Sequence, residues 1–367
     1  MTKYVKVLDH KTSVKTISII KEPSATELGL ADFKFNPVFS VFDVGTIVPP
    51  VPLDNTTIAI MAGFNFELLQ KEGVPTHYDG MVHDGELISA KDAIKEGLTP
   101  DTLRFKLVNV LKPRFADGRW DYGIFETPSA NNHVIPLELI TRNKIGKSSS
   151  VWKRVARGEI TLAELGIPED IKPGDPLPKP PVLDYSTKYE PEDRYFSPKV
   201  SQKLAHLSDD TFEILNGVTR NASQIMTAHA ASVGFDREDG KVEQVTYIDE
   251  NGIRVYALGD CVCTWHEDRL LYKGQAISKQ LIRDKIAAVN PAWKAEIDRA
   301  KDEANAKGVE NWKTLINPAI SYNSPSKEFF QAYNALARAA TNKWIGSVLY
   351  LDDINLEQRI EEFKAVA

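Results

Sequence analysis

The sequence predicts an α+β fold: two unequal lobes with a cleft between them. Three observations predict it. The 367 residues are enough for about two domains. Strand-type runs crowd the first third of the chain, and helix-type periodicity crowds the last third. No internal repeat interrupts that division.

The elements follow in order. Residues 4–8 and 14–20 are rich in β-branched side chains, with Asp9-His10-Lys11 as a turn between them. Residues 39–45 read as a short strand ending at a turn. Residues 57–72 read as a helix, with Ile60, Phe64, Leu68 and Leu69 on one stripe and Gly73 as a stop. Residues 103–111 form a buried strand closed by Lys112-Pro113, and residues 134–141 form the next, arriving at Arg142-Asn143. Five prolines within residues 173–181 make a stiff, extended connector. Ser208-Asp209-Asp210 caps a long helix to about Ser232. Two strands follow, then helices over about 278–288, to about 307, over 328–344 and over 356–364.

Composition excludes several classes. Apolar residues are 42% and charged residues 26%, with 21 Gly and 21 Pro, so the chain is neither disordered nor collagenous. The net charge of −6 gives no basic field for nucleic acid, although a local basic pocket remains open. Cys261 and Cys263 are too few for a four-cysteine zinc site and too close to staple a domain, which suggests a reducing, cytoplasmic setting. No signal peptide and no membrane span are legible. A homo-oligomer is left open.

The richest segment is 239–260. Asn251-Gly252 between two β-rich runs predicts a two-residue type I′ hairpin with Glu250 opposite Ile253. Counting outward places Glu243 opposite Asp260. Facing acids are unfavourable alone, and a divalent cation such as Mg2+ between them would reverse the sign. Period two puts Asp239, Lys241 and Glu243 on one face. Lys241 then lies diagonal to Asp260, near a phosphate beside the metal. A solvated hairpin face is the competing reading, and a bulge would break the register. The two cysteines fall on the opposite face, as packed core.

Two further clusters are basic. Residues 142–154 combine Arg142, Lys153 and Arg154 with Ser149 and Ser150, which suits either an anion site or an exposed loop. Lys279 and Arg283 are one helical turn apart, so they share a face that either clamps an anion or is solvated. Neither a P-loop nor a Rossmann fingerprint is present, no histidine pair has metal-ligand spacing, and His77 reads as structural.

In this order, these clusters resemble the SAICAR synthetase family, in its archaeal-type branch, from about Phe39 to Trp344. The resemblance rests on Ser40-Val41-Phe42-Asp43-Val44-Gly45, on Gly73-Val74-Pro75-Thr76-His77-Tyr78 and on Leu107-Val108-Asn109-Val110-Leu111-Lys112. It rests also on Arg142-Asn143 with Ser149-Ser150, on Pro180-Pro181 through Lys188, and on Asp193-Arg194-Tyr195. Asp239-x-Lys241-x-Glu243, Gly259-Asp260, Glu267-Asp268-Arg269 and Lys279-x-x-x-Arg283 complete it. There are departures. The family's nucleotide loop, of the form G-x-x-[KR]-D-[FIV], is matched nearest by residues 28–33, with Ala31 where a cation is expected. Thr46 stands for an acid, and Ser148 for a glycine.

The resemblance implies antiparallel sheets, a β-rich nucleotide-binding lobe over 1–112, and a substrate- and metal-binding lobe over 113–367. It implies an ATP- and Mg2+-dependent ligase joining CAIR to L-aspartate through an acyl phosphate. Glu243 and Asp260 would hold the metal. Val108, Val110 and Lys112 would line the adenine pocket, with Lys241 at the phosphates. Asp43, Arg142, Ser149, Ser150, Lys188, Arg269, Lys279 and Arg283 would bind substrate, and Lys241, Asp239 and Asp193 would act at the reacting end. A paralogous ligase on another carboxylate and amine, or a non-catalytic nucleotide-binding homologue, would carry much of the same pattern.

Overall fold

The computed structural model describes residues 3–8, 14–147 and 149–367. The turn expected at Asp9-His10-Lys11 and the departure at Ser148 therefore lie outside the described residues.

The first sheet uses β1 (Lys6–Leu8), β2 (Lys15–Lys21) and β3 (Gly29–Phe35). A small ladder of β4 (Phe39–Ser40) and β5 (Thr46–Ile47) leads to helix α1 (Thr56–Lys71). Strands β6 (Tyr78–His83) and β7 (Glu86–Ile88), helix α2 (Ala90–Lys95) and strand β8 (Thr102–Leu107) complete this region. The strand order is β1-β2-β3-β8-β6-β7, with every pairing antiparallel.

Three expectations are corrected here. Residues 28–33 are not a nucleotide loop. They run into the body of β3, where Ala31 is fully buried between Ile19 and Phe105, and Asp32 forms a two-pronged pair with Arg104 at 2.7 and 2.9 Å. With its side chain fully buried, Ala31 presents nothing to a phosphate. The strand expected over 39–45 stops at Ser40, because Phe42 and Asp43 adopt left-handed backbone, with φ of 53° and 61°. The strand expected to reach Leu111 ends at Leu107. Val108 and its successors cross toward the second sheet, where the Asn109 carbonyl accepts from the Val134 N–H at 3.1 Å.

A hairpin of β9 (Arg114–Ala116) and β10 (Arg119–Asp121) precedes the second large sheet. That sheet contains β11 (His133–Arg142), then, after helix α3 (Ser150–Ala156), β12 (Val182–Thr187) and β13 (Tyr195–Phe196). Helices α4 (Pro198–Leu204) and α5 (Asp209–Ser232) lead to β14 (Phe235–Ile248), β15 (Arg254–Gly259), β16 (Asp268–Tyr272) and β17 (Gln275–Ala276). As expected, Ser208 caps α5, accepting the Thr211 N–H at 3.2 Å. The sheet order is β13-β12-β11-β14-β16-β17, with β15 also on β14.

Strand β14 organises this sheet. One edge pairs with β11 between residues 239 and 246. Its other edge changes partner. Residues 243–248 pair with β15 and residues 235–240 with β16. The loop 260–267 joins those two partners, so it emerges beside Lys241 in the middle of the sheet.

The hairpin register differs by one from expectation. Glu243 faces Gly259, not Asp260. The reason is Asp249, whose Oδ1 accepts the N–H groups of Asn251 at 2.9 Å and Ile253 at 2.8 Å. Its own N–H bonds the Ile253 carbonyl at 2.9 Å. This side-chain-closed turn makes a three-residue loop with Gly252 left-handed, and it overrides the two-residue Asn-Gly turn.

Helices α6 (Gln280–Val289), α7 (Pro291–Lys307), α8 (Lys327–Ile345) and α9 (Leu356–Lys364) complete the chain. Helix α8 returns to pack on α1, where Trp344 Nε1 donates to Asn65 Oδ1 at 2.8 Å. One continuous apolar core therefore runs from the first sheet to the last helices, and it includes both free cysteines.

Gly240 supplies a test of this packing. A Cβ there would lie 2.2 Å from Arg237 Nη2 and 2.4 Å from the Asp268 carboxyl carbon, inside a buried ion pair. Gly240→Ala should cost about 3 kcal/mol or more. Gly252→Ala meets no atom but needs positive φ, and should cost only about 1 kcal/mol. Equal urea midpoints for the two variants would contradict this packing.

Candidate functional site

The cross-strand register builds the site. Arg142 on β11, Asp239 on β14 and Arg269 on β16 are consecutive partners across three strands. Asp239 Oδ2 accepts from Arg142 at 3.2 Å and from Arg269 at 2.6 Å. Asp184 on β12 accepts from Arg142 at 2.7 Å and from Arg154 at 2.6 Å. Three guanidiniums thus share two buried carboxylates, which leaves one positive charge facing the cleft. Burial opposes the charge on Arg142, but Asp184 and Asp239 outweigh it and raise its pKa. Ser149 receives a hydrogen bond from Arg142 at 3.3 Å and caps α3.

Two strand periods along, Glu138 on β11 faces Glu243 on β14. Lys241 reaches from β14 to Glu138 at 2.7 Å and stands 3.7 Å from Glu267. Ser186 steadies the other Glu138 oxygen at 3.1 Å. Burial works against the Lys241 charge, but Glu138 and Glu267 together hold its pKa well above normal.

These rows floor a cleft of about 470 Å3. Of the residues expected at a site, Asp43, Arg142, Ser150, Asp193, Asp239, Lys241, Arg269, Lys279 and Arg283 all line it. Asp43 is presented by its left-handed turn and pairs with Lys301 at 2.6 Å. Among the described residues, Lys279 and Arg283 have no side-chain partner. Burial and the neighbouring Arg283 push Lys279 down to about 8. Burial, then Arg269, lowers Arg283 as well. Two half-buried cations without counter-ions are costly unless an anionic ligand completes them.

Glu243, Asp260 and Lys188 form a separate group. Lys188 pairs with Glu243, and Lys15 of β2 pairs with Asp260, linking the two sheets. Asp260 has left-handed backbone at 55°, which turns its side chain despite the altered register. Burial raises the Glu243 pKa, opposed by Lys188 and reinforced by Asp260. Burial also works against the Asp260 charge, but Lys15 and then Lys188 hold its carboxyl far below the usual range. The two acids therefore share one field. Among the described residues, no three His, Cys, Asp or Glu side chains gather as a metal-ligand set. Two carboxylates with oxygen-rich substrate nevertheless fit Mg2+, which keeps waters and phosphates in its shell. The ammoniums lying against both acids indicate a place suited to positive charge.

Val108 packs in a small apolar cluster with Val245, Tyr247 and Ala257, with Leu28 at its margin. Val110 is 53% exposed and Lys112 is exposed beside it. The sequence reading gave no role to Lys15, Glu138, Asp184 or His266, nor a separate one to Glu267. Only the alternation of β11 could have signalled Glu138. Lys15 needed the inter-sheet contact, which local pattern does not encode.

Asp193 lines the cleft, where desolvation of its carboxyl, reinforced by the charges of Glu138 and Asp43, pushes its pKa up to about 8. The folded chain then keeps a proton that the unfolded chain loses, so this contribution to stability falls as pH rises from about 4 to 8. Asp193→Asn should remove that fall. Parallel Tm-versus-pH curves for the two proteins would contradict it.

Residues 54–300 match the family model described as SAICAR synthetase. A provisionally named phosphoribosylaminoimidazole-succinocarboxamide synthase of Archaeoglobus fulgidus is 31% identical over 96% of this chain and 99% of its own. The phosphoribosylaminoimidazole-succinocarboxamide synthase of Thermoplasma acidophilum is 22% identical over 68% of this chain and 76% of its own. Among solved structures, SAICAR synthase of Saccharomyces cerevisiae complexed with SAICAR superposes with a TM-score of 0.59 at 19% identity, covering 93% of this chain and 95% of that one. A SAICAR synthetase in complex with ADP gives 0.51 at 18% identity, covering 76% and 91%. Among the described residues, no helix is long and apolar enough to cross a membrane.

Proposed function

The chain belongs to the SAICAR synthetase family, a family of ATP-dependent ligases of purine biosynthesis, and we propose that it joins CAIR to L-aspartate in the cytoplasm. The observation that carries this reading is the cleft itself: unpaired Lys279 and Arg283 across from the Arg142–Asp239–Arg269 row, beside an acid pair already covered by ammoniums. Such a site fits several anionic groups at once.

A carboxylate is a poor acyl donor. In the proposed reaction the CAIR carboxylate oxygen attacks the γ-phosphate, giving an acyl phosphate and ADP. The aspartate amine then displaces phosphate and forms the amide. Both steps depend on positioning and charge neutralisation. Glu243 and Asp260 would hold Mg2+, which would neutralise the polyphosphate. Lys15 and Lys188 lie against the same acids and would turn to the phosphate oxygens. Lys241, fixed by Glu138, would steady the transferring group. Val108 would contact the adenine, with Val110 and Lys112 at the rim. Ser149, Ser150, Arg142 and Arg269 would hold the ribose phosphate. Asp193, Asp239 and Asp43 would orient the imidazole end, and Lys279 and Arg283 would take the remaining carboxylates.

Glu243→Ala and Asp260→Ala should each abolish Mg2+-dependent ADP release with CAIR and aspartate, and should weaken Mg-ADP binding measured by calorimetry. Turnover near wild type in either variant would remove the metal assignment. A matrix of heteroaryl carboxylates and amines tests the substrates: release confined to another pair would make the protein a paralogous ligase, and nucleotide binding without release on any pair would make it non-catalytic. For the phosphate subsite, Ser150→Ala is the useful variant and should raise KM for CAIR far more than for ATP. Arg142→Ala would strip Asp184 and Asp239 of a shared buried partner and should cost about 3–5 kcal/mol of stability.

A further inference from the structure

The reaction above leaves a proton unassigned. At neutral pH the amine of an amino acid is an ammonium and has no lone pair with which to attack. His266 answers to this need. It stands on the loop 260–267, and its side chain lines both the main cleft and a small side cavity that also contains Lys15 and Cys261. Among the described residues its imidazole has no hydrogen bond or ion pair, and only its backbone N–H is engaged, by Thr264 Oγ1. An unpartnered, half-buried imidazole facing a polar cleft is open to a ligand bound there.

The charged and titratable groups around these two cavities come from several elements. They include Lys15 on β2, Asp43 after β4, Cys261 and Glu267 on the same loop, and Lys279 and Arg283 at α6, with Glu138, Arg142, Lys153, Asp193, Tyr195, Asp239, Lys241 and Arg269 on the rest of the cleft wall. Burial, then Lys279, Lys15 and Arg283, hold the ring neutral, with its pKa well below normal. A neutral imidazole is the form that can accept a proton. Substrate carboxylates and phosphates would neutralise those three cations, and the ring would become more basic once the site is filled.

We propose that His266 is the general base that takes a proton from the attacking amine. This rests on the ligase reading. The ammonium gives one proton to the imidazole. The freed nitrogen forms the C–N bond as the C–O bond to phosphate breaks. The phosphate leaves with that electron pair and takes up the second N–H proton as the amide forms.

The test uses the full chain with CAIR and Mg-ATP, comparing His266→Gln and His266→Ala with wild type. Aspartate is compared with hydroxylamine, which is largely unprotonated at neutral pH and attacks acyl phosphates without a base. With aspartate, kcat should fall about 100-fold or more in both variants. Hydroxylamine-dependent ADP release should stay close to wild type, and added imidazole should restore part of the aspartate rate to His266→Ala. Equal losses with both nucleophiles would make His266 structural and overturn the proposal. A raised KM for aspartate with kcat unchanged would make it a binding residue, with the same effect. A wild-type enzyme that releases no ADP from CAIR with either nucleophile would instead overturn the ligase reading, and the base assignment with it.

Discussion

The change of partner along one edge of β14 is the constraint on which the site depends. A strand has two edges, and each backbone group buried there needs a partner. Here one edge is satisfied by β11, while the other passes from β15 to β16 near residue 241. The chain between the two partners must leave the sheet at that point. It carries Asp260, His266 and Glu267 with it, over a floor from which Asp239 and Lys241 project. A cleft in the middle of a sheet is therefore a product of topology, and the charged side chains are gathered by register.

Desolvation explains why those charges are arranged in alternating rows. Arg142, Asp239 and Arg269 follow one another across three strands, and each buried charge has an opposite neighbour. Neutralising them pairwise keeps the floor rigid. The cations at the entrance to α6 lack such neighbours, and the contrast separates the framework from the groups available to a ligand. Positioned charge in a partly dry cleft is the means by which phosphoryl and acyl transfer are accelerated.

Much of this was legible in the sequence, for identifiable reasons. Helices α5, α8 and α9 fell within a residue or two of expectation, and the Ser208 cap marked the start of α5. The basic cluster and the Asp-x-Lys-x-Glu alternation led to the right strands. What failed was decided by single side chains or by distant contacts. Asp249 closed the hairpin and moved its register by one. Residues 28–33 have the spacing of a nucleotide loop, yet pairing with β2 and β8 makes residues 29–33 interior strand. The cation found beside Asp260 came from β2, some 245 residues away in the chain. Pairing over such a distance leaves no local pattern.

The return of α8 to α1 has a consequence for how this protein is made. The first sheet and α1 leave the ribosome well before the surface that covers α1, whose indole bonded to Asn65 lies 279 residues further along the chain. Until then α1 exposes apolar side chains that the finished molecule hides. The first sheet and α1 are therefore sealed only once α8 has been made.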